Sequence, residues 1–260
     1  MRFHIFLKIS VLLHTFLAAS LCGETIAFLY ALENDANSLV AAGATMVRTE
    51  TIGDRTVRTY RLGNHTVLGV MMTSGQAESA VSTATILAKR QVDAVVTTGV
   101  VGAINDDFRI GQTVLIDKIF AWQAGSHHGG AWSETPRSHP NLRLWTKLKC
   151  ELPRSGVASG DVFIADDAER MRLGSVSGMP LVDMNLFGIQ TAANAHGVPV
   201  FHLRMVSDQA DDHASENFRK FASNYKGELG SRLAELIKAL PDDDQSPQTY
   251  PALKRLSPAP

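Results

Sequence analysis

The sequence has very little cysteine, with only Cys22 and Cys150 among its 260 residues. Two cysteines cannot supply the disulfide framework of a small secreted scaffold, and no Cys/His spacing resembles a structural zinc site. Cys22 lies at the edge of an N-terminal segment that we expect to be removed, so Cys150 is predicted to be a lone thiol. The apolar content of 45% is enough for a sizeable hydrophobic core.

An excess of charge of either sign is also missing. Lys and Arg number 25 against 26 for Asp and Glu, which gives a formal net charge of −1. No dense basic run interleaved with aromatic residues occurs along the chain. Such a chain has no global field that would attract nucleic acid or an acidic membrane, so we expect neither as a partner.

The N-terminal hydrophobic run is too short to span a bilayer, which takes roughly 20 apolar residues. It extends from Ile9 to Ala19, follows Arg2 and Lys8, and is succeeded by the small residue Ser20. A basic head, a short apolar stretch and a small-residue cleavage site are typical of a secretory signal peptide. We therefore predict a signal peptide over residues 1–23 and export to the periplasm or the medium. A membrane anchor or a buried first helix is the alternative.

Short apolar runs alternate with segments of helical periodicity along the rest of the chain. This alternation predicts an α/β fold, a three-layer α/β/α sandwich with a mixed, mostly parallel twisted central sheet. One domain is expected over residues 24–240, followed by a flexible Pro-rich tail over residues 241–260. The predicted strands are Ile26–Tyr30, Thr56–Arg61, His65–Met72, Val92–Val96, Gln112–Ile119 and Val198–Val206, and the predicted helices are Ala77–Arg90, Asn185–His196 and Gly227–Leu240.

Several short motifs occur along the chain, and in open α/β sheets the residues that directly follow a strand are candidates for ligand binding. In chain order they are Ile26–Asp35, Thr97–Ala103, Ile110–Val114, Ser159–Ile164, Val182–Asn185 and Arg204–Asp208. Taken in register, they resemble the motifs of the nucleoside phosphorylase/nucleosidase superfamily, and most closely those of the methylthioadenosine/S-adenosylhomocysteine nucleosidases. The resemblance covers essentially the whole predicted domain. It implies a nucleoside phosphorylase-like fold, a purine nucleoside as ligand and a homodimer.

Cleavage of an N-glycosidic bond passes through an oxocarbenium-like sugar, so the leaving base must be protonated or hydrogen-bonded. The resemblance implies that Asp208 is the general acid at purine N7 and that Ser207 orients it. A carboxylic acid donates near neutral pH only if burial raises its pKa. The alternative is that Ser207 and Asp208 cap the following segment.

The resemblance implies that the carboxylate at the position of Asp35 activates the attacking water and that Arg204 helps it. The family has a glutamate at this position, so the carboxylate of Asp35 is one methylene shorter and holds a water from farther back. Glu33 is a nearby alternative. A third interpretation is that residues 33–35 are only a solvated helix start, where acidic side chains are favoured.

The sugar position departs further from the family, since Asn185 stands where the family has a glutamate that grips the ribose hydroxyls. Asn offers one acceptor group, one donor group and no charge. Asp183 likewise replaces a glutamate and has a shorter reach. Met184 is expected to pack against the ribose, although a methionine in such a strand also fits the core.

The remaining substrate-binding candidates follow from the same resemblance. Phe163 is expected to stack on the base, with core packing as its alternative, and Ile164 presents backbone groups to the edge of the base. Ser74, or its neighbour Thr73, is expected to line the sugar and water site. Gly99 belongs to Thr97–Ala103, which resembles the family's glycine turn after a central strand, and it is expected at the substrate.

The nucleophile is predicted to be water. The bacterial-type phosphorylases hold phosphate with an arginine and a serine, and Thr97 and Val100 stand at those positions without the charge. The segment Gly99–Gly102 is also not a dinucleotide fingerprint. His127 and His128 are adjacent, in a glycine-containing stretch expected to be an exposed loop, and two neighbouring histidines do not easily converge on one metal.

These observations predict an exported purine nucleosidase, an N-glycosidic hydrolase that needs no metal and no organic cofactor. Two alternatives remain open. One is a nucleoside-binding or storage-like protein that has lost the chemistry, and the other is a purine nucleoside phosphorylase with an unconventional phosphate site.

Overall fold

A mixed ten-stranded sheet runs through the centre of the computed structural model, which describes residues 23–129, 131–135, 137–138 and 142–241. Its strands are β1 (Thr25–Tyr30), β2 (Thr45–Ile52), β3 (Arg55–Leu62), β4 (His65–Met71), β5 (Ala94–Ala103), β6 (Thr113–Ala121), β9 (Arg137–Ser138), β10 (Arg154–Ser159), β11 (Leu181–Asp183) and β12 (Val200–Asp208). A separate hairpin consists of β7 (Gly125–His128) and β8 (Ala131–Glu134).

The strand order across the sheet is β11-β10-β6-β12-β5-β1-β4-β3-β2, and β9 pairs with β6. The four neighbouring strands β12, β5, β1 and β4 are parallel, whereas β2, β3 and β4 form an antiparallel meander. Strand β6 is antiparallel to β12, and β10 is parallel to both β6 and β11. The carboxyl ends of the parallel central strands therefore share one edge of the sheet.

Helices cover both faces of the sheet. They are α1 (Glu33–Ala41), α2 (Gln76–Lys89), α3 (Asp167–Ser177), α4 (Leu186–Ala195), α5 (Ala214–Asn224) and α6 (Glu228–Lys238). Side chains of α1, α5 and α6 share one apolar core with the sheet, and side chains of α2 and α4 share another on the opposite face. The predicted three-layer α/β/α sandwich is thereby confirmed.

Burial on two faces explains the composition of the central strands. Every residue from Ile26 to Tyr30 in β1 is buried, and all nine residues of β12 are buried. Strands covered on both faces carry continuous apolar runs instead of an alternating pattern. The apolar stripe predicted for the last helix is also found, with Leu229, Leu233 and Ile237 of α6 in the core.

One local expectation was wrong. The segment Thr97–Ala103, expected to include a glycine turn after a strand, is part of β5 itself. Its glycines lie opposite two predicted site residues of β12, because Gly99 pairs with Arg204 and Gly102 pairs with Asp208. These positions therefore need small residues for space and not for a turn.

The stretch around His127 and His128 is likewise not a loop but the first strand of the β7–β8 hairpin, with both histidines exposed. In the described part of the chain, no group of three His, Cys, Asp or Glu side chains is placed to hold a metal ion.

Most of the two predicted terminal segments lies outside the described residues, as does Cys22. The signal peptide over residues 1–23 and the tail over residues 241–260 therefore stay predictions. Over the described ranges, no helix has the length and apolar character needed to cross a membrane.

Candidate active site

A cavity of about 390 Å³ opens where β5, β11 and β12 end. Nine of the ten predicted site residues line it, and only Asp35 does not. The nine come from separate parts of the sequence and are Ser74, Gly99, Phe163, Ile164, Met184, Asn185, Arg204, Ser207 and Asp208.

Asp208 is the last residue of β12 and is 2% exposed. The Ser207 hydroxyl is 2.7 Å from Asp208 Oδ2 and donates to it, and the Ala210 N–H donates to Oδ1 at 3.0 Å. Burial raises the pKa of Asp208, while these two hydrogen bonds oppose the increase and the charge of Asp211 adds to it. The bond to Ala210 shows that Asp208 does cap the turn that follows it, although helix α5 begins only at Ala214.

The hydrogen bonds around Asp208 suit both of its protonation states. The Ser207 hydroxyl also lies 3.3 Å from the carbonyl oxygen of Val101. When Asp208 is ionised, Ser207 donates to it, and when the acid is protonated the same hydroxyl turns to Val101. Ser207 therefore orients the carboxyl group without fixing its charge.

Arg204 is a cation held inside the protein, with 2% of its side chain exposed. Its Nη1 group donates to Thr97 Oγ1 at 2.8 Å and to the carbonyl oxygen of Leu203 at 2.9 Å. Burial lowers the pKa of Arg204 to about 10, and the negative charges of Asp183 and Asp35 oppose this decrease. Arg204 therefore remains charged at neutral pH.

Asp35 lies in the first turn of α1 and is fully buried, so it is not part of a solvated helix start. Its Oδ1 accepts hydrogen bonds from the Tyr225 hydroxyl and from the Gly230 N–H, the latter at 3.1 Å. Burial raises the pKa of Asp35, and Tyr225, Thr98, Gly230 and Arg204 oppose the increase. Asp35 is thus set back behind the cavity wall.

Two polar atoms next to this position are left without a hydrogen bond. Among the described residues, neither Asp35 Oδ2 nor Thr98 Oγ1 has a partner in hydrogen-bond geometry, although both are buried and the Thr98 hydroxyl is close enough to Asp35 to lower its pKa. Unpaired buried polar atoms are costly, and ordered water commonly satisfies them. Glu33, the alternative carboxylate, is instead engaged in an ion pair with Arg58.

Asn185 uses its amide nitrogen inside the protein. Its Nδ2 donates to the carbonyl oxygen of Thr73 at 2.9 Å and to Ser79 Oγ at 2.6 Å. Because a carbonyl oxygen can only accept, the orientation of the amide is fixed and both of its protons are taken. Asn185 therefore offers the cavity one neutral acceptor, Oδ1.

The sequence suggested for Asp183 only a shortened reach towards the sugar, and the structure gives it another task. Its carboxylate accepts from the backbone N–H groups of Asn185 at 3.1 Å and Leu186 at 3.0 Å, where α4 begins. An anion at a helix N-terminus satisfies free N–H groups and interacts favourably with the helix dipole. Asp183 therefore anchors the backbone that carries Asn185.

An apolar wall closes another side of the cavity. Phe163 is 42% exposed, which argues against core packing, and its ring meets that of Phe218 edge to face at 5.9 Å between centroids. Ile164 is buried, Met184 is half-buried, and Ser74 is exposed at the opening. The sequence analysis missed Phe218, because nothing in its local pattern on α5 indicates a ligand.

The three-layer sandwich and the cavity at its strand ends define an α/β protein with a candidate site for a small molecule. A sequence profile described as the phosphorylase superfamily matches residues 25–238, and the chain belongs to this family. The resemblance noted from the sequence motifs is thereby confirmed.

Relatives with assigned activities fall among the nucleosidases. The chain is 27% identical over 173 residues to an aminodeoxyfutalosine nucleosidase of Campylobacter jejuni, an alignment that covers 62% of this chain and 76% of the relative. It is 27% identical over 181 residues to a 5′-methylthioadenosine/S-adenosylhomocysteine nucleosidase of an Exiguobacterium species, with 62% and 75% covered.

Solved structures share the fold. The 5′-methylthioadenosine/S-adenosylhomocysteine nucleosidase from Neisseria meningitidis, in complex with methylthio-immucillin-A, has a TM-score of 0.72 at 20% identity. The match covers 84% of this chain and 100% of the Neisseria chain. A futalosine hydrolase mutant of Helicobacter pylori has a TM-score of 0.70 at 18% identity, covering 84% and 98%.

Proposed function

We propose that this protein is a purine nucleosidase, a hydrolase that cleaves the N-glycosidic bond of a purine nucleoside. The observation that carries the proposal is Asp208, a buried carboxyl group with a raised pKa on the wall of a cavity that also presents Arg204. The relatives that match in sequence are themselves nucleosidases, which supports the same reaction.

In the proposed reaction, protonated Asp208 donates its proton to N7 of the base. The C1′–N9 bond then breaks, its electron pair leaves with the purine, and the sugar develops oxocarbenium character. A water molecule attacks C1′ and gives up a proton to Asp35, while the Arg204 cation orients that water. The unpaired Asp35 Oδ2 and Thr98 Oγ1 support a water site at this position.

Water is the proposed nucleophile because Thr97 and Val100 provide no groups that could bind phosphate. The Thr97 hydroxyl is fully buried and engaged with Arg204 and His202. Val100 lines the cavity with an apolar side chain. Phosphate binding relies on charged and hydroxyl donors aimed at its oxygens, and these two positions supply neither.

A second candidate is a protein that binds a purine nucleoside without cleaving it. Two observations favour it: Asp35 does not reach the cavity surface, and Asn185 offers the sugar a neutral acceptor. A displacement of about 1 Å in a catalytic group can cost on the order of a hundredfold in rate. This candidate keeps the pocket and the ligand but loses the reaction.

The test is base release by the purified protein from methylthioadenosine, adenosylhomocysteine, adenosine, inosine, guanosine and their 2′-deoxy forms. Each nucleoside is supplied with and without phosphate. The hydrolase predicts phosphate-independent release of the free base. Release that requires phosphate would establish a phosphorylase, and a raised melting temperature without release would establish the binding protein.

We also propose that the protein is exported, on the strength of the N-terminal pattern described above. N-terminal sequencing of the protein recovered from the periplasm or the medium tests this proposal. A mature chain beginning near Glu24 supports export, whereas retention of Met1 in a cytoplasmic fraction argues against it.

A homodimer is proposed as well, on the family resemblance. Exposed apolar side chains beside the cavity, Val162 and Phe163, are compatible with a subunit contact. Light scattering on the purified protein distinguishes a dimer of the 28.2 kDa chain from a monomer.

A further inference from the structure

A chain of buried polar side chains leads away from Arg204 and takes no part in the reaction proposed above. His202, Thr97 and Gln190 are each fully buried. The residues on the same face of β12 and β5 are otherwise apolar, namely Val95, Val101, Val200 and Val206 in the core against α2 and α4. Polar groups in such a core are costly unless they are hydrogen-bonded, so their arrangement is informative.

The chain is continuous from the cavity to the protein surface. Arg204 Nη1 lies 2.8 Å from Thr97 Oγ1, which lies 3.0 Å from His202 Nδ1. His202 Nε2 lies 3.1 Å from Gln190 Oε1, and Gln190 Nε2 donates to Asn194 Oδ1 at 2.8 Å. The link therefore connects β12, which carries Arg204 and Asp208, with helix α4.

The chemistry of the donors fixes the direction of these hydrogen bonds. A guanidinium group has no acceptor, so Thr97 Oγ1 accepts from Arg204. The Thr97 proton then points to His202 Nδ1, which must be unprotonated, and the imidazole proton sits on Nε2 facing Gln190. If His202 Nδ1 carried the proton instead and donated it to Thr97, the Thr97 hydroxyl proton would have no acceptor among the described residues. Its hydrogen-bond partners there are Arg204, which cannot accept, and His202.

The consequence is a fixed plane for the guanidinium group. Both protons of Arg204 Nη1 are taken, one by Thr97 and one by the carbonyl oxygen of Leu203. Nε and Nη2 have no acceptor in the described part of the protein and remain available to the cavity. These hydrogen-bond partners are neutral, so they orient the guanidinium group and leave its charge to be balanced by Asp183 and Asp35.

We propose that His202 is a positioning residue that acts through Thr97 to orient Arg204 in the active site. The proposal rests on the proposed nucleosidase function, in which Arg204 orients the attacking water. His202 does not line the cavity, so we expect no contact between it and the substrate. Its contribution is geometric, so its loss should lower kcat and leave KM nearly unchanged.

Three substitutions separate orientation from packing. In His202→Asn the amide group falls near the position of Nδ1 and can accept from Thr97. In His202→Gln it falls near Nε2 and serves Gln190 alone, and His202→Leu removes both contacts. We expect kcat to fall at least about tenfold in His202→Gln and His202→Leu with KM within about twofold, and to return to within about threefold of wild type in His202→Asn.

Equal kcat values in all three variants would overturn the proposal, as would a rescue by Gln as complete as that by Asn. A fall in kcat that follows only the melting temperature would also overturn it, because it would reflect packing alone. Thr97→Val breaks the same link between His202 and Arg204 and serves as the matched variant. Combining it with His202→Gln should therefore lower kcat no further than His202→Gln alone.

A second readout does not need activity. In protein labelled with ¹⁵N-histidine, the imidazole nitrogens of His202 should report the neutral tautomer with its proton on Nε2. A proton on Nδ1 would overturn the proposal even in a protein that cleaves nothing. If the wild type releases no base while the Nε2–H tautomer is found, the proposed hydrolase fails and the hydrogen-bond chain stands.

Discussion

Gly102 and Asp208 face each other across β5 and β12 so closely that a single added methyl group would collide with the carboxylate. A Cβ atom at Gly102 would lie 2.8 Å from Asp208 Oδ1 and 3.1 Å from Val182 Cγ1. Gly99 faces Arg204 less closely, with a Cβ position 3.6 Å from the guanidinium carbon, which is an ordinary contact distance. Of the two glycines of β5, it is therefore Gly102 that leaves necessary space for a predicted site residue of β12.

This relation predicts the effect of Gly102→Ala. The added methyl group must displace the Asp208 carboxyl group or Val182, and overpacking of this kind costs about 1–3 kcal/mol of unfolding free energy. We expect base release to fall at least about tenfold, as measured by kcat/KM. Gly99→Ala, whose nearest contact is Ala31 Cβ at 3.2 Å, is the matched variant and should cost less. Unchanged activity in Gly102→Ala would contradict the close placement of Asp208.

Asp208→Asn is predicted to lose activity and gain stability. Asn cannot donate a proton to the base, so base release should fall by about 10²- to 10⁴-fold. The raised pKa means that ionised Asp208 is disfavoured in the folded protein, so its stabilising contribution is lost as pH rises through that pKa. Neutral Asn avoids this cost and should raise the unfolding free energy near pH 7 by about 1 kcal/mol. A lower melting temperature would argue that Asp208 is held as a well-paired carboxylate.

The rate of base release should depend on pH through the protonation of Asp208. Base release needs protonated Asp208, so kcat/KM is expected to fall as pH rises through its raised pKa. Removing the Ser207 hydrogen bond, which lowers that pKa, should move this limb of the profile to higher pH in Ser207→Ala. Ser74→Ala, at the other cavity serine, is the control and should leave the limb in place. An unmoved limb in Ser207→Ala would mean that another group limits the rate.

Tyr225→Phe tests how Asp35 is held. The substitution removes a buried hydrogen bond to a carboxylate, which should cost about 1.5–3 kcal/mol of unfolding free energy. Because this bond lowers the pKa of Asp35, its loss should also shift the acid limb of the rate profile upwards. Tyr30→Phe is the control, since the Tyr30 hydroxyl bonds Arg58 instead. An acid limb that stays in place would separate Asp35 from the reaction.

The single neutral acceptor of Asn185 predicts weak discrimination between sugars. A neutral hydrogen bond contributes about 0.5–1.5 kcal/mol, which corresponds to about tenfold at most. Ribonucleosides and 2′-deoxyribonucleosides with the same base should therefore differ in kcat/KM by less than about tenfold. A preference for ribose above a hundredfold would require a charged partner for the sugar hydroxyls that Asn185 does not provide.

The sequence predicted nine of the residues that line the cavity, because they lie in short motifs shared with the family. It did not identify the partners that come from distant parts of the chain. Tyr225 lies 190 residues from Asp35, and no local pattern links the two. Phe218 looks like any helical aromatic residue until α5 packs beside Phe163.

The role of Asp183 is local, because its carboxylate accepts from N–H groups only two and three residues along the chain. An Asp shortly before a predicted helix is a capping signal that could have indicated this role. The burial of Asp35 depends instead on how α6 packs against α1, since the Gly230 N–H reaches the carboxylate from there. That is a tertiary relation, which local sequence preferences do not determine.

The most direct test of the proposed nucleosidase is base release from purine nucleosides by wild type and Asp208→Asn side by side, without phosphate and in water enriched in ¹⁸O. We predict free purine from the wild type, one heavy oxygen at C1 of the released sugar, and release at least about a hundredfold slower in Asp208→Asn. Equal rates in the two proteins, or no release from a wild type that still binds the nucleoside, would contradict it.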